Sequence, residues 1–198
     1  YSSSFVNNYI MDIEWLCHVF RGVISNKKLN IKKFKESLTD VFYVVTNKET
    51  YQPELINAKK LSDTIEGIHA SCAVPTLYDK EIHIKNKKYI DGDTSGQYPM
   101  TLIIEKLKPT SILVFANRPN FYFESYISNY IGNIILHRHL AKKIKTLEEE
   151  QLFLEECGIP FIIIWTDNLI TNALEQNKKK LIMAAKHFQK YVYKLLKK

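Results

Sequence analysis

The 198-residue sequence has little cysteine, glycine, proline or arginine. It contains three cysteines, six glycines, six prolines and three arginines. Three widely separated cysteines, Cys17, Cys72 and Cys157, exclude a disulfide framework and a zinc knuckle, and they favour a reducing compartment. The low glycine and proline content excludes collagen-like and low-complexity classes. No apolar run approaches the ~20 residues of a membrane span, and no signal peptide is recognisable, so we expect a cytoplasmic or peripherally membrane-associated protein.

The formal net charge of +7 comes from one end of the chain. Residues 175–198 hold eight lysines and one acid, whereas the first 174 residues carry 20 basic and 20 acidic groups. Because nucleic-acid enzymes usually have arginines and aromatic residues around the site, no nucleic-acid partner is expected. Two interpretations of the basic final helix stay open: its apolar stripe packs on a sheet while the lysines are solvated, or it contacts an anionic membrane.

Apolar strands and amphipathic helices follow one another along the chain. Hairpins are predicted over 41–56 and 81–90, and apolar strands over 111–116 and 161–165. Because these strands are almost continuously apolar, they predict a three-layer α/β/α domain with a mostly parallel central sheet covered on both faces. Helices are predicted over 12–22, 30–38, 59–69 running into 70–73, 99–107, 122–157 with a break near Gly132, and from a cap at Thr171 or Asn172 to the end.

The strongest functional signal lies in residues 68–93. The small-residue segment A-S-C-A-V-P at 70–75 allows another backbone to come close, and Pro75 is expected to end the preceding helix. A hairpin then places Asp91 at the end of a strand, where Gly92 permits a sharp exit. Taken alone, Asp91 is either a turn aspartate or a catalytic carboxyl.

Two segments resemble motifs of the patatin-like phospholipases. Residues 70–78 (ASCAVPTLY) are similar to the family's A-S-x-A-x-P-x-x-[FY] segment, and 89–92 (YIDG) to its D-G-G motif. Similarity to a bacterial uncharacterised subgroup continues in the segments 11–16 (MDIEWL), 42–46 (FYVVT) and 116–119 (ANRP). The resemblance covers nearly the whole chain, which would correspond to the C-terminal two-thirds of the family's domain.

The resemblance implies a lipid acyl hydrolase that cleaves carboxyl esters of phospholipid or other acyl lipids with a Ser-Asp dyad. Asp91 would be the general base, and neither a cofactor nor a metal would be needed. The residues expected to support the motif are Gly92, Asp93, Ser71 and Pro75. Small residues at a helix end usually serve packing, so Ser71 and Cys72 are not expected to be nucleophiles.

Two departures from the family bear on this expectation. The sequence contains neither a G-x-S-x-G nucleophile elbow nor a glycine-rich oxyanion loop, so residues 1–198 are expected to be the C-terminal part of one hydrolase domain. The serine and the first strands would lie upstream, and this part alone would be inactive. Asp93 replaces the last glycine of D-G-G. In an extended backbone it would face the same side as Asp91, and the like charges would raise one pKa.

Other functions remain as alternatives. The main alternative is a non-catalytic patatin-like module that binds lipid or protein, and a weaker one is an unrelated α/β binding domain with a chance motif match. His137 and His139 would point to different sides of a helix, so no metal site is expected there. Oligomeric state is not predicted.

Overall fold

The computed structural model describes residues 12–75, 77–78, 80–95, 99–116, 147–165 and 177–195, which divide between two compact units. The elements of the first unit are α1 (Ile13–Arg21), α2 (Ile31–Glu36), β1 (Phe42–Asn47), β2 (Pro53–Asn57), α3 (Thr64–Ser71), β3 (Ile82–Ile84), β4 (Lys87–Asp91) and α4 (Met100–Leu107). The elements of the second unit are β5 (Ile112–Ala116), β6 (Phe161–Trp165) and α6 (Lys178–Leu195). Helix α5 (Leu147–Glu156) has residues in both units.

The four strands of the first unit form an antiparallel sheet in the order β2-β1-β4-β3. Both predicted hairpins are present, because β1 pairs with β2 and β3 pairs with β4. Strands β1 and β4 join the two hairpins, and Val45 lies opposite Asp91. The expectation of a mostly parallel central sheet is therefore wrong. Helix α3 packs on β1, β3 and β4, and the turn after β4 packs on β1, so a helix and a turn cover antiparallel strands here and an apolar run does not indicate parallel pairing.

Parallel pairing within the described residues is confined to β5 and β6. Ile164 is buried in this pair, but Leu113, Phe115 and Ile162 are 50%, 55% and 62% exposed. The expectation that these two strands are buried on both faces is also wrong. Their apolar composition gave the strand positions correctly and the burial incorrectly.

Side-chain caps set the helix boundaries in the first unit. The Asp12 carboxylate accepts a hydrogen bond from the Trp15 N–H at 2.9 Å, and α1 ends at Gly22, as predicted. The helix expected from residue 59 is instead a 3-10 turn (Ala58–Lys60) followed by α3. Asp63 accepts from the Ile65 N–H at 2.9 Å and so starts α3 afresh.

The core of the first unit lies between α1, α3 and one face of the sheet. Alternate residues of a strand point to opposite faces and paired residues share a face, so Val45, Tyr89 and Asp91 lie on the same side. That side carries the core. The buried residues that form the core cluster are Ile13, Cys17, Val45, Leu61, Ile65, Ala70, Ala73, Tyr78, Ile82, Ile84 and Tyr89.

Several sequence predictions fall outside the described residues. Across the described ranges, no helix combines the length and the apolar character needed to cross a bilayer. Positions outside the description are Met11, the loop 117–119, most of the helix expected over 122–157, His137, His139, Thr171 and Asn172.

Gly67 gives a test of how closely α3 packs on the sheet. A Cβ at Gly67 would lie 2.1 Å from Cδ2 of Tyr43 on β1. Glycine to alanine in a helix normally stabilises by ~1 kcal/mol, but here Gly67→Ala should lower the free energy of unfolding by about 1–3 kcal/mol because the Tyr43 ring must move. Urea denaturation measures the change. Adding Tyr43→Leu should relieve the clash, so an equal loss in both backgrounds would contradict the packing described.

Candidate active site

Asp91 is the last residue of β4, and its backbone ties the strand to the end of α3. The Asp91 N–H donates to the Ala73 carbonyl oxygen at 3.0 Å, while Asp91 pairs with Val45 across the ladder to β1. The structure thus brings together the two segments of 68–93 that the sequence singled out. The Asp91 side chain lies on the core side of the sheet, next to the small residues that follow α3.

Ser71 and Gly92 meet at a single backbone oxygen, the carbonyl of Val44. The Ser71 hydroxyl donates to it at 2.8 Å. A Cβ at Gly92 would lie 2.6 Å from the same oxygen, so a larger residue would push β4 away from β1. The supporting role predicted for both residues therefore has a geometric basis, and Ser71, whose hydroxyl is used in packing, is placed as a structural residue.

The turn after Asp91 is fixed from the other face of the sheet. Gly92–Ser95 forms a 3-10 turn, and the Gly92 carbonyl accepts hydrogen bonds from the Thr46 hydroxyl at 3.2 Å and the Ser95 hydroxyl at 3.1 Å. Thr46 is fully buried, and its hydroxyl also accepts from the Ser95 N–H at 3.1 Å. These bonds hold the backbone that follows Asp91, while the bond to the Ala73 carbonyl holds Asp91 itself.

Burial raises the pKa of the Asp91 carboxyl from 3.8 to about 6. Two smaller effects come from Asp93: its backbone N–H, which donates to Asp91 Oδ1 at 2.9 Å, lowers the pKa, and its negative charge raises it. Removal from water disfavours the charged form, so the desolvated carboxylate holds a proton more tightly. A carboxylate with such a pKa is mostly ionised at neutral pH and is a better proton acceptor than an exposed aspartate.

The position of Asp93 differs from the sequence expectation. The strand ends at Asp91, and Asp93 lies in the 3-10 turn with an exposed side chain. The two carboxylates are therefore not neighbours on one face of an extended strand. The main contact of Asp93 with Asp91 is through its backbone N–H, which any residue other than proline could supply.

Cys72 and Pro75 complete the segment after α3. Burial raises the pKa of the Cys72 thiol, and the charge of Asp91 raises it further. The thiol therefore stays protonated near neutral pH and is a poor nucleophile. Helix α3 ends at Ser71, and the Cys72 N–H donates to the Ile68 carbonyl, so the helix stops before Pro75 and the prediction that Pro75 ends it is wrong.

A second polar network connects α1, α3 and the segment after α3. The sequence patterns did not predict this network. The Tyr78 hydroxyl donates to Glu14 Oε1 at 3.0 Å and lies 2.6 Å from His69 Nε2, and Lys80 pairs with the same carboxylate. Because the Tyr78 proton is directed to Glu14, His69 Nε2 is assigned as the donor to the Tyr78 oxygen. Burial lowers the pKa of His69. Residues from three distant positions are needed, so no local spacing could have signalled this network.

A cleft of about 420 Å³ lies on the sheet at the Lys87 end of β4, away from Asp91. Its one acid, Glu54, accepts hydrogen bonds from Asn47, Lys87 and Tyr89 at 2.8–3.1 Å, so the carboxylate is fully engaged. Asp91 is not among the lining residues. The size is within the range of small-molecule sites. Burial and the hydrogen bond to Glu54 raise the pKa of Tyr89, whereas burial of Glu54 is outweighed by hydrogen bonds from Asn47 and Lys87, which lower the pKa of Glu54. Both shifts move these groups away from titration near neutral pH, so we place the candidate site at Asp91.

Comparisons with known proteins add no relative. No protein-family model matches the chain, and no curated protein or solved structure matches it. In the part of the chain that is described, no group of three or more His, Cys, Asp or Glu side chains is arranged to hold a metal ion.

The raised pKa of Asp91 predicts a specific pH dependence of stability. The unfolded carboxyl titrates near 3.8 and the folded one near 6, so the folded state binds more protons between these values and loses stability as the pH rises through them. The full effect is about 3 kcal/mol above pH 7. Asp91→Asn removes the buried charge and should be more stable than the parent at pH 8, with nearly equal stability at pH 4.

Urea unfolding of the two proteins at both pH values measures this difference. Other carboxyls, such as Glu14 and Asp63, have lowered pKa values and give the opposite slope, so only the difference between parent and variant reports on Asp91. Asp93→Asn, at an exposed position, is the matched control and should show little change. An Asp91→Asn protein less stable than its parent at pH 8 would rule out a desolvated carboxylate.

Proposed function

We propose that this chain supplies the general base, Asp91, of a serine-dependent lipid acyl hydrolase of the patatin-like type. The observation that carries the proposal is a strand-end carboxylate with a pKa of about 6, next to the small-residue end of α3. The resemblance of residues 70–78 and 89–92 to patatin-like motifs supplies the reaction class. The substrate would be a phospholipid or another acyl lipid with a carboxyl ester.

In this proposal Asp91 accepts the proton of a serine hydroxyl that lies outside the 198 residues. The serine oxygen attacks the ester carbonyl, the alcohol leaves with the proton, and water then releases the acyl group from the serine with Asp91 again as the base. Asp91 has one oxygen, Oδ1, held by the Asp93 N–H. Within the described residues no protein donor contacts the other oxygen, Oδ2, so Oδ2 is the one that would face the serine.

The small residues around Asp91 let the end of α3 and the turn after β4 lie close to the sheet. Ala70 and Ala73 are buried with 0% and 1% exposure, and Gly92 is packed against the Val44 carbonyl. A strand that carries a nucleophile must bring its hydroxyl to about 2.6–3.2 Å from the base.

A non-catalytic module that binds lipid or protein is the alternative function. The observation in its favour is Asp93, which replaces the last glycine of the D-G-G motif, together with the lack of a G-x-S-x-G nucleophile elbow in these residues. The two functions differ in one readout, because only an activated serine reacts with a fluorophosphonate. The complete natural product that contains this chain should be labelled if the hydrolase proposal is correct, and it should stay unlabelled if the module only binds.

The activity test compares Asp91 with its exposed neighbour. In the complete natural product, Asp91→Asn should lower kcat/KM for a phospholipid or acyl ester by about 10²- to 10⁴-fold, the usual contribution of a general base. In the parent, kcat/KM should fall as the pH drops through about 6, because protonated Asp91 cannot accept the serine proton.

Asp93→Asn is the control for this test. It keeps the backbone N–H that contacts Asp91 and removes a nearby negative charge that raises the Asp91 pKa. This variant should retain activity, and the midpoint of its pH profile should move to lower pH. Full activity of Asp91→Asn, or a larger loss in Asp93→Asn than in Asp91→Asn, would reject Asp91 as the base.

A further inference from the structure

The excess positive charge of the protein is concentrated in helix α6. Its 18 residues contain six lysines and no acid. Residues 175–198, which include α6, account for the whole net charge of +7, and the first 174 residues are balanced. The helix is therefore a compact positive source on a chain that is otherwise neutral, and it determines how the protein orients in the field of a negative partner.

Four of the six lysines of α6 lie on one side of the helix. At 3.6 residues per turn, Lys179, Lys186, Lys190 and Lys194 fall on a common side, where Met183 and Tyr193 lie between them. We call these six residues the lysine face. All six are exposed, Met183 by 64% and Tyr193 by 61%. Among the described residues, no ion pair involves Lys179, Lys186 or Lys190.

The opposite side of α6 has the less exposed residues. Ala184, Phe188 and Val192 are only partly exposed, and the rings of Phe188 and Tyr191 lie 6.4 Å apart. The sequence left open whether the apolar stripe or the lysines would meet a partner. On the apolar side Leu181 (44%) and Ala185 are exposed, whereas Phe188 and Val192 are partly covered. All six residues of the lysine face are exposed, so this face is the more accessible of the two.

We propose that the lysine face docks the protein onto an anionic phospholipid bilayer. The lysine face extends over about 22 Å from Lys179 to Lys194, at 1.5 Å per residue, which is long enough to meet several headgroups. Ammonium groups on flexible stems suit a diffuse negative surface, whereas base or phosphate recognition in nucleic acid more often uses arginine. Helix α6 contains no arginine.

Two side chains of the lysine face suit an interface rather than bulk water. Met183 is apolar and flexible, and Tyr193 has an apolar ring with a polar tip, a combination that is favoured at the boundary between headgroups and acyl chains. Attraction by the lysines would bring both side chains to that boundary. The docking proposal does not depend on the hydrolase proposal, since it concerns binding alone.

Vesicle co-sedimentation tests the docking of the whole protein. The parent should bind vesicles made of equal parts phosphatidylglycerol and phosphatidylcholine, should bind pure phosphatidylcholine weakly, and should be released by salt. The triple variant Lys179→Gln, Lys186→Gln and Lys190→Gln should lower the partition coefficient roughly 100-fold, on the basis of about fivefold per lysine. Glutamine keeps the helix propensity close to that of lysine, and circular dichroism checks the fold.

A second triple variant with the same charge change is the matched control. Lys27, Lys32 and Lys106 are exposed and form no ion pair within the described part of the chain. Changing these three to Gln should lower the partition coefficient less than about fivefold. The comparison separates the effect of the lysine face from the effect of total charge. Equal losses in the two triple variants, or equal binding to both vesicle types, would overturn the proposal.

A duplex DNA competitor tests whether the lysine face binds nucleic acid instead of a bilayer. If the protein binds DNA through the same lysines and fails to bind the anionic vesicles, the lysine face is a nucleic-acid surface and the bilayer proposal is wrong. If the vesicles bind and Met183→Ser with Tyr193→Ser weakens the part of binding that survives salt, contact with the interface is supported. Salt-resistant binding that is unchanged in both the lysine triple and this double variant would contradict docking through α6.

Discussion

Two hydrogen bonds from the end of α3 to the sheet determine the candidate site. Ser71 donates to the Val44 carbonyl on β1, and Ala73 accepts from the Asp91 N–H on β4. The first bond adds a side-chain donor to the Val44 carbonyl, and the second pairs the Asp91 N–H. These two contacts also fix the distance between the small residues after α3 and the sheet. The surroundings of the Asp91 carboxylate therefore depend on where α3 ends.

The buried carboxylate of Asp91 is unfavourable for the fold and favourable for proton transfer. Desolvation raises its pKa to about 6, so the ionised form costs stability at neutral pH. Bonds on either side of the residue hold the backbone in place: Ala73 accepts from Asp91 itself, and Thr46 and Ser95 donate to the Gly92 carbonyl. A carboxylate kept in an unfavourable environment by bonds around it is typical of catalytic positions.

The sequence predicted local features better than their assembly. Both hairpins, the Asp12 cap and the strand-end position of Asp91 follow from nearby residues, because turn and cap chemistry is local. The antiparallel order β2-β1-β4-β3 does not follow from apolar runs, since helices can cover either kind of sheet. The Glu14, His69 and Tyr78 network, like the Ser71 to Val44 bond, joins positions 9–64 residues apart, so only the folded chain shows it.

Titration of the Asp91 carboxyl is the most direct test of the account. The carboxyl carbon of Asp91, followed by NMR from pH 3 to pH 9 and assigned by comparison with Asp91→Asn, should titrate with a midpoint near 6. A midpoint for Asp91 at or below the ordinary aspartate value of ~3.9 would show that the side chain is solvated, and it would contradict a desolvated general base at this position.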